Sequence, residues 1–512
     1  MRIQVVPLNL LDYGSTQDGM MPGLKKIGDM FSSGEIFLPE MLMATEAFQE
    51  VVNLIEPKLL TSSEKVNKTG TVVKANTFEK IDNDWFRIGN PSLYVDIVYT
   101  STGTIRIGSM PDISKLTRKY NINEDIVIVP DWFFSQGGDN RTGEELNFWC
   151  YAASLKYPPL YLGHKSDIDA LYKNLDMIFS YYFDSSMTRV IKKDWIDKFF
   201  RKYKLKDGEV YRKNGVEVRL ENEKIIIIDK NKVKYNGSAN FDKGDFFIEK
   251  TLSSLQRCKK SSNCRDCIEV IVVGNGNGFV GITSSFIVHL RDYLIWIDPC
   301  AQPAFSLGKI GIHWDDVTHL LITHNHEDHI SGFTACLKRA VDKGKTVKII
   351  TAPNIYQILL KQFRLLFPDI EKYLDLIPLT PEKSCTLGNY KIEARWNHHI
   401  IPYGTLGLKI SSKSNCWGFS GDTKYDEKII KVLKRKELEP EWFENCDVLF
   451  HEVDFKSPKT VHTYYKELQK LETNFSGKLF VYHTDVKGLK KGFTIAEEGR
   501  RYLLNKGKLE IR

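Results

Sequence analysis

One segment restricts this 512-residue chain more than any other. The apolar run VTHLLIT (317–323) ends in His324-Asn325-His326-Glu327-Asp328-His329, and Ile330-Ser331-Gly332 follows. A short run of β-branched and aliphatic residues predicts a buried strand, and the polar residues behind it predict a loop that opens a helix. Side chains two apart at a strand end point the same way, so His324 and His326 suit two imidazoles on one metal ion. Asp328 and His329, past the bend, are placed to reach a second. Neighbouring cations that bridge a hydroxide bring the pKa of bound water toward neutrality and steady the charge on a hydrolysed ester. Histidine distribution points to the same half of the chain: of 12 histidines only His164 precedes His289, and the other 11 fall between His289 and His483. Histidine is the commonest metal ligand, so metal chemistry is expected there.

Around this segment, apolar runs alternate with helical patterns. Ile268 begins a strand, IEVIVVG, followed by an NGNG turn, a second strand SSFIVHL and a third, YLIWIDP, ending at Asp298. Helices are expected over Phe333–Asp342 and Ile355–Phe367. The pattern predicts an αββα sandwich for residues 268–490: two mixed sheets face to face, helices outside, and the metal site at one edge.

H-x-H-x-D-H in this setting resembles the metallo-β-lactamase superfamily, and the resemblance runs from Ile268 to about Asp485. It implies a third histidine, His399 in HIIPYGTLGLKI, a bridging carboxylate, Asp422 in FSGDTKYD, and a last ligand, His483 in LFVYHTD. The implied metal ligands are His324, His326 and His399 on one ion and Asp328, His329 and His483 on the other, with Asp422 between them. Adjacent His398 reads as a satisfied neighbour. Flavo-diiron oxygen reductases, which share the fold, carry a carboxylate where His326 stands, and this argues against that redox branch. Two divalent transition-metal ions are expected, zinc first; manganese or iron would accept the same donors.

His451-Glu452 in DVLFHEVDF and the later Val461-His462-Thr463 resemble the phosphodiesterase branch that includes RNase Z and class II-like cyclic-nucleotide phosphodiesterases. The resemblance implies that Glu452 orients His462 as a general acid, with Asp328 the third catalytic residue. The short interval between the two segments, and a sequence without a glycine- and proline-rich arm, favour a small anionic phosphodiester over tRNA. The expected function is hydrolysis of a phosphodiester by a metal-bridged hydroxide. Thioester or lactone hydrolysis on the same core is the alternative. A different class, a sensor or assembly protein with a low-activity metal domain, also stays open, because specificity in such a fold comes from inserted loops and partner domains.

A formal charge of +7 from 72 basic and 65 acidic residues admits an anionic substrate but falls short of the footprint of a dedicated nucleic-acid binder. The sequence shows neither a basic stretch leading into an apolar one at its start nor an apolar run of about 18 residues. Its nine cysteines are scattered and odd in number. A cytoplasmic protein with reduced thiols and no membrane contact is expected.

Four segments are expected: a helical segment 1–60, a mixed α/β domain 61–256, a linker 257–267 and the hydrolase domain 268–512. In the first, Met41, Ala44, Phe48, Val51, Val52 and Ile55 share one helical face. The stretch from Asp18 to Leu59 resembles the second half of the helical cap that precedes the cobalamin-binding domain in corrinoid methyl-transfer proteins. That family continues with a D-x-H-x-x-G loop, whereas the first histidine here is His164, in GHKSD. The segment is therefore expected to serve packing or dimerisation, giving a homo-oligomer. In the mixed domain, 92–100 and 125–134 read as strands, 167–183 as a helix, and 210–237 as a β-meander turning at Lys213-Asn214-Gly215 and Asp229-Lys230-Asn231. Thr142 and Glu145 form a capping box that opens a helix whose first amides can face an anion. Cys258, Cys264 and Cys267 supply one C-x-x-C without a second pair nearby, which suits a linker and not a zinc knuckle.

Overall fold

The computed structural model describes residues 77–512 apart from 91–92, 130–142, 154–157, 184–194, 207, 222–223, 239–265, 366, 400–403, 436–437, 439, 486–487 and 491. The chain divides into two units, residues 1–72 and 73–512, and every described residue belongs to the second. The helical segment 18–59, Thr142, Cys258 and Cys264 lie outside the described residues.

From Ile268 onward the chain builds two mixed sheets. In the first, Ile268–Gly274, Ser285–Leu290 and Tyr293–Ile297 pair antiparallel in succession. His319–Leu321, Val347–Thr351 and Leu374–Pro378 extend it in parallel. The last hairpin, Arg501–Asn505 with Lys508–Ile511, adds to the other side of Ile268–Gly274, so the sandwich continues past the expected limit at 490. The second sheet runs in order through Cys385–Leu387, Tyr390–Trp396, Leu406–Ser411, Cys416–Phe419, Val448–Glu452 and Lys478–Tyr482. Its last two pairings are parallel.

Alternation along the strands shows how the layers form. Val448 and Phe450 enter the core shared with Val288 of the first sheet, while Leu449 between them joins a separate core with Leu468 and Leu471 of the helix Tyr465–Asn474. Phe480 and Tyr482 repeat the pattern against Val481. The helices Pro303–Lys309, Phe333–Asp342 and Pro353–Phe363 enter the main core through Leu307, Leu337 and Leu359. Burying each such side chain contributes roughly 1.5–3 kcal/mol. The helix expected over 355–367 starts two residues earlier and ends four earlier. Pro353 sits in its first turn, where a fixed φ suits helix initiation, and Pro368 bars α geometry at Phe367.

Before the sandwich, the chain forms a seven-stranded sheet from Thr77–Asp82 to Lys202–Leu205, in chain order, antiparallel over its first four strands and parallel over the rest. The expected strands appear as Leu93–Thr100 and Ile126–Val129, and the expected helix as Lys165–Phe183. The meander is present as four antiparallel strands between Val210 and Ser238. Its first turn places Asn214 at φ 49° and Gly215 at φ 84°, the left-handed pair a tight hairpin demands. Beneath the parallel strands, fully buried Arg106 pairs with Glu124 and, at 2.8 Å, with Glu144. Tyr161 adds a hydrogen bond to Glu144 at 3.0 Å. A buried guanidinium left unpaired would be strongly destabilising, so these carboxylates fix the start of the helix Glu144–Ala153. That helix faces the sandwich: Glu327 accepts from the Leu146 amide at 2.9 Å, and Lys115 donates to the Gly281 carbonyl at 3.0 Å. No described helix is long and apolar enough to cross a membrane.

Candidate metal centre

The strand His319–Leu321 runs parallel to Tyr293–Ile297, which brings the chain leaving each strand end side by side. Asp298, at φ 47°, thereby meets the start of the histidine loop. Its Oδ1 accepts from the Thr323 amide at 2.8 Å, and its Oδ2 from the Thr323 hydroxyl at 2.6 Å and His329 Nδ1 at 2.8 Å. Because the Thr323 hydroxyl gives its proton to Asp298, it accepts from His324 Nδ1, 3.0 Å away. His324 therefore turns a lone pair inward on Nε2. The Val461 carbonyl, which only accepts, lies 3.3 Å from His399 Nδ1 and fixes the same tautomer there.

These two nitrogens converge with a third. His324 Nε2 lies 3.0 Å from His326 Nδ1, which lies 3.3 Å from His399 Nε2. A tetrahedral ion with ~2.0–2.1 Å bonds to nitrogen sets N···N edges of about 3.3–3.4 Å, close to this spacing. Burial lowers the pKa of all three histidines, that of His326 to about 4, which keeps them neutral as ligands.

The second group is built from the helix Glu327–Ile330 and the end of the strand Lys478–Tyr482. His483 Nε2 is 3.3 Å from Asp328 Oδ2, and His329 Nε2 is 3.8 Å from the same oxygen. Asp422 Oδ2 stands between the groups, 3.4 Å from both His329 and His483 and 3.8 and 4.0 Å from His399 and His324. Burial disfavours a charged His329, but Asp422, Asp328 and Asp298 outweigh it and hold its pKa well above the usual range. A cation seated here would take the place of that proton. His329 Nε2 and Asp422 Oδ1 are buried without a hydrogen-bond partner, a cost of about 1–3 kcal/mol each if nothing else meets them. Converging lone pairs, facing carboxylates and orphaned donor atoms all fit divalent cations.

The structure thus brings together all seven residues expected as ligands, and it keeps His398 out of every ligand group among the described residues. Glu452 and His462 also meet: Glu452 Oε2 is 2.7 Å from His462 Nδ1, while Oε1 accepts from the amides of Thr423 at 2.8 Å and Thr463 at 3.2 Å. Burial opposes charge on His462, yet Glu452 lifts its pKa to about 9. His451 stays buried, its Nδ1 2.7 Å from the Glu452 carbonyl oxygen. A pocket of about 380 Å³ opens over His326, Asp328, His399, Asp422, His462 and His483. Asp298 and Thr323, which orient His324 and His329, were not singled out in the sequence. The available signal was an aspartate at the end of the strand that precedes the histidine strand in the sequence.

Two mixed sheets packed face to face, with histidines and aspartates converging from the strand ends of both, define the metallo-β-lactamase fold for residues 268–511. Residues 268–509 match the family model described as anti-Pycsar protein Apyc1, and residues 16–56 match that of a B12 binding domain. A cAMP/cGMP-dependent 3′,5′-cAMP/cGMP phosphodiesterase B of Dictyostelium discoideum is 25% identical over 222 residues, 40% of this chain and 19% of that protein. The chain thus spans about a fifth of that relative's length. Anti-Pycsar protein Apyc1 of Paenibacillus sp. (strain J14) is 22% identical over 224 residues, 41% of this chain and 87% of the relative. Among solved structures, the metallo-β-lactamase fold protein YhfI from Bacillus subtilis aligns with a TM-score of 0.38 at 20% identity, covering 46% of this chain and 98% of its own.

Proposed function

We propose that the chain is a metal-dependent phosphodiesterase acting on a small phosphodiester, with a 3′,5′-cyclic nucleotide as the substrate class. The observation that carries this reading is the Glu452–His462 pair, 2.7 Å apart, standing beside the seven-residue donor cluster. The similarity to cyclic-nucleotide phosphodiesterases supports the substrate class.

His324, His326 and His399 would hold one ion, Asp328, His329 and His483 the other, with Asp422 between. The nitrogen and oxygen donors suit zinc and also manganese or iron. Bound there, divalent cations supply Lewis-acid charge and lower the pKa of water at the site. The protein's own groups do the rest. Asp328, in the lining of the pocket, positions the attacking water. Glu452, held by two backbone amides, accepts from His462 Nδ1 and favours the imidazolium, so that Nε2 carries a proton as well. As water adds to phosphorus, losing one proton to solvent, and the bond to the leaving oxygen breaks, the Nε2 proton passes to that oxygen, so that a cyclic phosphodiester opens to a phosphomonoester carrying the freed hydroxyl.

The experiment is a substrate screen of the full chain loaded with zinc or manganese. Hydrolysis of 3′,5′-cyclic nucleotides and bis(p-nitrophenyl) phosphate, stopped by a chelator and restored by metal, is expected. Activity confined to thioesters or lactones would overturn the reading.

A further inference from the structure

The pocket over the metal donors is not completed by the metallo-β-lactamase domain alone. Helix Glu144–Ala153 of the mixed α/β domain contributes Leu146 and Trp149, and Arg118 reaches in from the end of the helix Ile113–Lys119. Trp149 is half-buried and backed by Phe179, the rings nearly parallel at 16° with centroids 6.1 Å apart, so its plane is set by packing. Across the domain junction Phe279 is 39% exposed, and the Arg118 guanidinium lies 4.6 Å over its ring.

This surface is built and held, not incidental. Asn277 Oδ1 accepts from the Phe279 amide at 2.9 Å and the Val280 amide at 3.2 Å, and Lys115 ties down Gly281 from the other domain. Added atoms at Gly278 would strike Leu146 Cδ1 at 2.7 Å, so the two domains approach closely here. A phosphodiester needs only the polar donors. An aromatic wall in the same cavity calls for a planar, apolar-faced group attached to that phosphate. The volume of about 380 Å³ suits one small molecule and excludes a folded chain.

Resting on the phosphodiesterase reading, we infer that the mixed α/β domain forms the base-binding half of the substrate site. Trp149, Leu146 and Phe279 take the planar base of a cyclic nucleotide by stacking and apolar contact, and the Arg118 guanidinium donates to acceptors on the edge of the base. The assignment gives the mixed domain a role in specificity, with no part in bond cleavage.

The test uses the metal-loaded full chain and calorimetric binding of a hydrolysis-resistant 3′,5′-cyclic nucleotide phosphorothioate, compared with the same ribose cyclic phosphorothioate lacking a base. Stacking of one base on an aromatic side chain predicts a preference for the nucleotide of roughly 5- to 150-fold. Trp149→Ala should remove most of it and Trp149→Phe should restore it, with metal content unchanged. Arg118→Ala, at an exposed position, should cut the preference even if the tryptophan variant does not fold. Equal affinity for the two ligands in the wild type, or a preference untouched by Trp149→Ala and Arg118→Ala, would overturn the inference. Base-dependent binding without hydrolysis of any phosphodiester would instead defeat the phosphodiesterase reading and leave the base site standing. Hydrolysis with base-independent binding would do the reverse.

Discussion

The Glu327 carboxylate accepts a hydrogen bond at 2.9 Å from the amide of Leu146, 181 residues earlier in the chain. Glu327 sits between His326 and Asp328 in the histidine loop, so one side chain ties the candidate metal loop to the first turn of the helix Glu144–Ala153.

Glu327→Ala should therefore destabilise residues 73–512 by about 1–3 kcal/mol, because it leaves a buried amide unanswered. Glu327→Gln keeps an acceptor and should lie near the wild type. Chemical denaturation of both variants checks this; equal stability of Glu327→Ala and wild type would contradict it.

Asp298 acts on the site through His329 and Thr323. Asp298→Ala should cost roughly 10–100-fold in metal affinity, the usual effect of losing a hydrogen-bonding partner behind a ligand. The loss should fall mainly on the ion at Asp328, His329 and His483, with a smaller one at His324 through Thr323. Competition titration with a chromophoric chelator measures it, and unchanged affinity would remove Asp298 from the account.

If His462 protonates the leaving oxygen, His462→Ala should lose far more activity on esters with alkyl leaving groups than on p-nitrophenyl esters, which depart without a proton. Glu452→Gln should show the same trend more weakly. Steady-state rates over a series of leaving groups decide it, and equal losses across the series would make His462 structural.

How much of this was legible in the sequence depends on the range of the interaction. The order strand, ligand loop, helix at residues 317–332 is local, and its periodicity and residue types gave both the strand His319–Leu321 and the direction of His324 and His326. His399, Asp422, His483, Glu452 and His462 follow from resemblance, because they lie at strand ends and in connecting segments of the second sheet, far apart in sequence, and nothing local marks them. Asp298 was visible only as a strand-end aspartate, for a physical reason. Its role arises from the parallel pairing of two strands, and that pairing is set by packing between distant segments. Nothing local marks Trp149 and Phe179 either, since they join the lining of the pocket only through packing between distant segments.

Acid stability offers a check away from the metal donors. Burial, followed by nearby Lys348, lowers the pKa of His319 to about 4. An unfolded histidine titrates near ~6.5, so between these values the unfolded chain binds a proton that the folded one refuses. The contribution of neutral His319 is fully present above that range and is lost as the pH falls toward 4. His319→Gln should flatten the fall in stability over this window in denaturation curves recorded with metal present. A slope identical to wild type would show that His319 does not carry the dependence.

Elemental analysis of the full chain, purified without chelators, counts the ions that the donors on either side of Asp422 hold. Ligand count predicts about two first-row transition ions per chain. Asp422→Ala should lower occupancy at both positions, while His398→Ala should leave it unchanged. A folded wild-type protein without metal, or an Asp422→Ala variant that keeps both ions at full affinity, would contradict the account.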